Sequence, residues 1–215
     1  MAEVDHRRVM SAAEFDAIPA NAEYPIDGYY EALIDRNERI GYEVHEQPER
    51  FKELTAGQRM LIQLGTFDSQ VKNGGITQFF WNCAESIFDV ADWIESLGVA
   101  ELQANYDRAL EALVGKKDQW LALRAEWSKG RDNPQWEAFQ QTYELLDLAW
   151  FEDTYFDNRG YNERQEWVRL SAGLHHALLT RLAEYVHTHR AEFIVQQRQA
   201  FLGTDGVEAS DSSSP

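Results

Sequence analysis

The chain has 215 residues, 44% of them hydrophobic and 13% aromatic, enough for one sizeable core. Its 37 Asp plus Glu outnumber 20 Lys plus Arg, a formal net charge of −17. That charge repels nucleic acid and anionic membranes and suits a basic protein partner; the alternative left open is acidity that serves only solubility.

Met1 to Met10 is charged and lacks an apolar h-region, so no secretory signal is expected. No window reaches the roughly 18 apolar residues of a membrane span. A single cysteine, Cys83, excludes an internal disulfide; in its apolar stretch it reads as a buried, inert thiol. The expected setting is the cytoplasm.

Residues 1–50 hold 12 acidic and 5 basic side chains, with Pro19, Pro25 and Pro48 as breakers. Ser11-Ala12-Ala13-Glu14 has the form of a capping box and predicts a short helix. Asp27 is a candidate cap for a second, carrying Tyr30, Leu33, Ile34 and Ile40. This segment reads as an acidic helical extension. A helical domain over 51–202 and a small, polar, disordered tail over 203–215 complete the expected organisation.

From Thr55, the residues Met60, Leu61, Leu64, Phe67 and Val71 recur at helical spacing. Asn73-Gly74-Gly75 stops that helix, because Asn and Gly tolerate the left-handed conformation. A short aromatic helix follows over about 76–83, then one over about 85–97 ending at Gly98, then one over about 100–114 ending at Gly115. Trp120, Leu121, Leu123 and Trp127 mark a further helix. Asn133-Pro134 reads as a helix start, and Trp136, Phe139, Tyr143, Leu146 and Trp150 form a continuous apolar seam after it. The last helix is expected over about 163–201, with a break near Gly173 and an inner face of Leu174, Leu178, Leu182, Tyr185, His189 and Phe193. No alternating strand run of useful length competes. The class is all-α, an irregular single-domain bundle.

Catalytic signatures are absent. Gly74-Gly75 has no following Lys-Ser or third glycine and reads as a turn. Glu184 and His187 form one Glu-x-x-His, the spacing of carboxylate-bridged di-metal bundles, but a second copy is missing. Adjacent His175 and His176 point about 100° apart on a helix and cannot converge on one metal without outside help. No cofactor and no metal are expected. A metal-binding helical protein or enzyme using Glu184 and His187 remains the alternative.

The window between Lys72 and Arg108 carries no positive charge, yet holds Glu85, Asp89, Asp92, Glu95, Glu101 and Asp107. On one helix, Glu85, Asp89 and Asp92 fall within about 60° of each other, with Glu95 at the edge. Steps of three and four residues place such carboxylates about 4.5–6 Å apart along the axis. That is comparable with the roughly 7 Å between phosphates of one DNA strand, a contour estimate from an axial rise of about 3.4 Å. The reading is a surface that meets a basic protein; a merely solvated face is the alternative.

The run Asn73-Gly74-Gly75-Ile76-Thr77-Gln78-Phe79-Phe80-Trp81-Asn82 resembles the Asn-Gly-Gly-x-x-Gln-aromatic-Phe-x-Asn signature of a bacterial family typified by an acidic DNA-mimic protein. Weaker matches follow in order: Ile94 with Leu97-Gly98; Leu145-Leu146-Asp147 with Trp150-Phe151 and Tyr155; and Leu182 to Phe193. Cys83-Ala84-Glu85 departs from the small residues usual there, and residues 1–50 have no counterpart. The resemblance implies an all-α, dimeric, non-enzymatic protein that occupies a basic DNA-binding protein through its carboxylates. The net charge speaks against direct contact with nucleic acid or membrane. An immunity-type protein neutralising a basic effector is a further reading. The signature itself is assigned to the fold: Gly74 and Gly75 turn the chain, and Asn73 or Asn82 caps backbone groups.

Overall fold

The computed structural model describes residues 10–19, 25–36, 48–129 and 136–194. Asn133-Pro134, Ile40 and the tail over 203–215 lie outside them. Among the described residues the architecture is predominantly helical, and no helix is long and apolar enough to cross a membrane.

Helix α1 (Ala12–Asp16) starts on the expected capping box: the Glu14 amide donates to Ser11 Oγ, and the Ser11 amide donates to the Glu14 carboxylate. Helix α2 spans Pro25–Arg36. Asp27 lies in its first turn and does not cap it, because Pro25 already occupies the start. Phe15, Ile26 and Tyr29 join the same buried core as the later helices, and Met10 bridges to Ile194. Helix α3 is Pro48–Glu53.

The central element is α4 (Ala56–Asn82), capped by a second reciprocal box between Thr55 and Gln58. Met60, Leu61, Leu64, Phe67 and Val71 are buried before Gly74-Gly75, and Ile76, Phe79 and Phe80 after it. Between these sets the helix kinks. Gly74 has an extended φ of −162°, and Gly75 has φ +76°, ψ 176°. The stop read at Asn73-Gly74-Gly75 is this kink. It turns the second half so that Phe79 meets Phe67 edge to face at 5.1 Å. Phe67 is also ringed by Tyr106, Tyr155 and Phe151 at 5.7, 5.6 and 6.4 Å. Burial of each such ring stabilises by about 1.5–3 kcal/mol.

Two contacts from distant sequence hold the kink. Glu152 Oε1 accepts the Ile76 amide at 2.7 Å, and the Tyr143 hydroxyl donates to the Gly74 carbonyl at 2.6 Å. Glu152 is half-buried, and that burial holds its carboxyl above the usual range; the Ile76 amide opposes the rise. Gln78 and Asn82 both donate to Gln70 Oε1, at 2.9 and 2.7 Å. The role expected of Asn82 as a backbone cap is therefore replaced by a side-chain tie across the kink.

A 3₁₀ turn (Ala84–Ser86) leads into α5 (Ile87–Leu97), which ends at Gly98 with φ +68°. Helix α6 (Ala100–Gly115) packs on α5, and the Tyr106 hydroxyl donates to the Ile87 carbonyl at 2.8 Å. Helix α7 (Lys117–Lys129) buries Trp120 against Trp81. Cys83 is buried, and burial pushes its thiol up to about 12, with Glu85 adding and Arg124 opposing; no thiolate forms at neutral pH.

The expected seam from Trp136 to Trp150 is broken. Helix α8 (Trp136–Leu146) ends where Asp147 takes φ +49°, and α9 (Ala149–Tyr155) restarts in a new direction. Asp tolerates that left-handed conformation better than most residues, so 3–4 spacing continued in sequence while the backbone turned. Trp136 ends up 57% exposed.

The expected helix over 163–201 is also corrected. Strands β1 (Asn158–Tyr161) and β2 (Trp167–Ser171) form an antiparallel hairpin, with Arg159 opposite Arg169 and Tyr161 opposite Trp167. Asn162 Oδ1 closes its turn on the amides of Arg164 and Glu166. Tyr161, Trp167 and Leu170 are all exposed, so no alternation of buried and polar positions betrays the strands in sequence. Helix α10 occupies only Leu174–Thr188, followed by a 3₁₀ turn (Arg190–Glu192). Its inner face is His175, Leu178, Leu179, Leu182 and Val186, rotated from the expected set. Leu178 and Leu182 are common to both; Leu174 and Tyr185 are half-buried and His189 is exposed. Phe193 is buried, but beyond the end of the helix.

The kink yields two predictions. Gly75→Val should cost at least about 1 kcal/mol in chemical denaturation, because φ +76° strains any side chain and an added Cβ meets Glu152 Oε1 at 2.4 Å. Glu152→Ala should cost about 1–3 kcal/mol by orphaning the buried Ile76 amide. Glu152→Gln keeps an acceptor. The raised carboxyl pKa means that any stability linked to protonation is present at low pH and lost as pH rises through the folded value. At neutral pH the Gln variant should therefore match or exceed the parent in melting midpoint.

Candidate partner-binding face and polar clusters

Helix α5 buries Ile87, Val90, Ile94 and Leu97 and turns its other side to solvent. Asp89, Asp92 and Glu95 are exposed on that side. Glu101 and Asp107 are exposed on α6, and Glu85 is exposed in the 3₁₀ turn. Glu85 precedes α5, so the angular relation expected from one continuous helix does not include it. The expected row is thus an α5 triad with carboxylates on two flanking elements.

Asp89 is held in place. Gln63 of α4 donates from Nε2 to Asp89 Oδ2 at 2.8 Å, and its Oε1 accepts the Trp93 indole N–H at 2.6 Å. Gln63 is itself buried. One carboxylate of the row is therefore pre-positioned by a core side chain, a feature invisible in local sequence.

The face is not purely acidic in space. A recess of about 410 Å³ at its α3–α4 edge is lined by Phe51, Lys52, Arg59, Asp89, Asp92 and Trp93. Lys52 pairs with Glu49 at 3.0 Å, and Arg59 donates to the Leu54 carbonyl at 2.8 Å. The cation-free window of the sequence acquires two cations here from α3 and α4. At the N-terminal end of the α5 face stands Phe88, 65% exposed. Helical geometry puts it between Asp92 and Glu95, about 40° from one and 20° from the other.

Glu184 and His187 are both exposed. Glu184 pairs with Arg181 at 2.9 Å. Neither belongs to a group of ligands that could hold a metal among the described residues. The signature residues sit in the core or at the kink: Phe79 and Phe80 are buried, Gln78 is half-buried, and Asn73 and Asn82 are exposed.

The base of the hairpin holds a cluster that sequence spacing argued against. His175 and His176 have ring centroids 4.9 Å apart, and both approach Asp157. Their Nε2 atoms lie 3.8 and 3.9 Å from Asp157 Oδ1, and His175 Nδ1 donates to the Tyr155 carbonyl at 2.8 Å. The outside help comes from a chain reversal at the hairpin, which returns α10 to the residues just before β1. Burial raises the Asp157 carboxyl, but the Gly173 amide, both histidines and Arg169 outweigh it and hold the group below its ordinary value. Gly173 makes the approach possible: a Cβ there would lie 2.3 Å from backbone atoms of Tyr155 and Phe156. Gly173 is the signal visible in the sequence, where it marks a helix break and not a close backbone approach.

A family model described as DMP19-like protein matches residues 52–189. No curated protein and no solved structure matches.

Gly173→Ala should destabilise by about 1–3 kcal/mol in thermal or chemical unfolding, because the atoms in its way are backbone and must shift.

Proposed function

Since the chain belongs to the DMP19-like protein family, we propose that it acts as a DNA mimic, occupying the basic groove of a DNA-binding protein. The observation that carries this reading is the cation-free run between Lys72 and Arg108, whose carboxylates are exposed on α5, on α6 and in the turn before α5. Asp89, Asp92 and Glu95 step along one side of α5 at about 4.5 Å of rise each. Like charges at that spacing cost helix stability. A row kept despite that cost suits a basic counterpart. The Gln63 clamp on Asp89 supports the same reading, because a fixed carboxylate loses less freedom on binding.

Phe88 separates an interface from acidity kept for solubility. A large exposed ring at the start of a charged face adds nothing to solubility, whereas an exposed aromatic beside charges suits an anchor in a protein interface. The face is thus read as a protein-binding surface with a phosphate-like border. No step of chemistry is assigned to it.

Capture of partners from native lysate at low salt, with salt-gradient elution, supplies the test. Binding should weaken steeply with salt. Duplex DNA should displace the captured protein, which distinguishes mimicry from neutralisation of a basic effector that does not bind DNA. Replacing Glu85, Asp89, Asp92 and Glu95 by Gln or Asn should keep the fold and lower affinity by about 1–3 kcal/mol. Phe88→Ala should lower affinity while leaving the salt dependence unchanged. Parent-like binding by the charge variant, with no displacement by DNA, would overturn the proposal.

A further inference from the structure

We propose that Asp157, His175 and His176 form a binding site for a divalent transition-metal ion of the zinc class, independent of the acidic face. The three residues each offer one ligand atom, and these atoms lie within 4.8 Å of one another. Donors on a tetrahedral ion at about 2.1 Å lie about 3.4 Å apart. Closing the site on an ion therefore asks the donor pairs to approach by about 0.4 Å to at most about 1.4 Å, an adjustment within reach of side-chain torsions. Two imidazoles and one carboxylate suit zinc and its neighbours, and disfavour calcium and magnesium, which take oxygen ligands.

The ligands are supported from behind. A carbonyl only accepts, so the Tyr155 contact places the proton of neutral His175 on Nδ1 and leaves the Nε2 lone pair for a cation. A histidine held through its second nitrogen by a backbone carbonyl is the usual outer support of a metal ligand. Asp157 Oδ1 is oriented by the Gly173 amide at 3.0 Å. The His175 and Asp157 side chains are only 8% and 7% exposed, and His176 is 21% exposed, so the site opens on one side. Three protein ligands and an open side leave room for a fourth ligand from solvent.

Positive charge already collects at this point. Arg169 Nη1 touches His176 Nε2 and lies 3.6 Å from Asp157 Oδ2, and Arg159 lies 3.7 Å from the same oxygen. Arg169 is on the exposed strand β2, with its side chain 41% exposed. It can swing into solvent. Its guanidinium stands in for a bound cation, and a metal would have to displace it. The same arginine distinguishes a metal site from a purely structural ion-pair cluster, because the two readings assign it opposite effects.

The test uses the full chain without a histidine tag, stripped by a chelator. It is titrated with zinc against a competing chromophoric chelator in excess magnesium, which occupies the surface carboxylates. The parent should bind one equivalent of zinc, and its melting midpoint should rise with zinc. His176→Gln, at the open side, should weaken binding at least tenfold and abolish the rise. Arg169→Gln should retain one equivalent and bind more tightly, because the competing cation is gone. His189→Ala, a change at an exposed histidine near the end of the same helix, should behave like the parent. Cobalt substitution should give visible d–d absorption that Asp157→Asn removes. Circular dichroism checks that each variant is folded; should His176→Gln not fold, the Arg169→Gln and cobalt measurements decide. Absence of stoichiometric zinc in the parent, parent-like binding by folded His176→Gln, or weakened binding in Arg169→Gln would each overturn the proposal.

Discussion

Gly75 holds a backbone conformation that side-chain-bearing residues rarely adopt, and the core depends on it. The kink brings the second half of α4 back against the first half's aromatic partners, so that Phe67 and Phe79 share one cluster with Tyr106, Phe151 and Tyr155. A straight helix would project Phe79 and Phe80 along a different line. The glycine permits the turn and does not enforce it; Glu152 and Tyr143 do so by satisfying the amide and carbonyl that the kink strips of helical partners. The long separation between the Asn-Gly-Gly run and the Leu-Asp-aromatic segment in sequence is thereby closed in space.

Charge in this molecule is organised in two ways. On α5 and α6 the carboxylates are exposed to solvent, with Asp89 held from below by Gln63. At the base of the hairpin a nearly buried carboxylate is surrounded by two histidines and two arginines, and is satisfied within the chain. The first arrangement acts at range and weakens with salt; the second is local and shielded. A protein with net charge −17 therefore contains a small region of opposite local balance, next to an exposed hairpin carrying Tyr161, Trp167 and Leu170.

The legible parts of the fold were those set by neighbours in sequence. The capping box at Ser11, the helix ends at Gly98 and Gly115, and the stop at Gly74-Gly75 depend on backbone groups within a turn of the residue concerned and are legible locally; the box at Thr55 is equally local, but only the helix start near it is read from the sequence. The acidic residues were legible as a group because solvent exposure of charge is the default. The errors share one cause. Asp147 breaks a helix while the 3–4 apolar spacing runs on, and the hairpin exposes both faces, so neither leaves a periodic trace.

By itself, the sequence determined the helical class, most helix ends, the inert state of Cys83 and the acidic character of α5 and α6, because propensity, capping and net charge act locally or additively. Only the tertiary structure decided three things: that Glu152 and Tyr143 lock the Gly74-Gly75 kink, that Gln63 fixes Asp89, and that Asp157 meets His175 and His176. The physical reason is that a hydrogen bond or ligand geometry between residues far apart in the chain depends on where packing returns the backbone. No local pattern encodes that return, apart from the glycines that let two backbones approach.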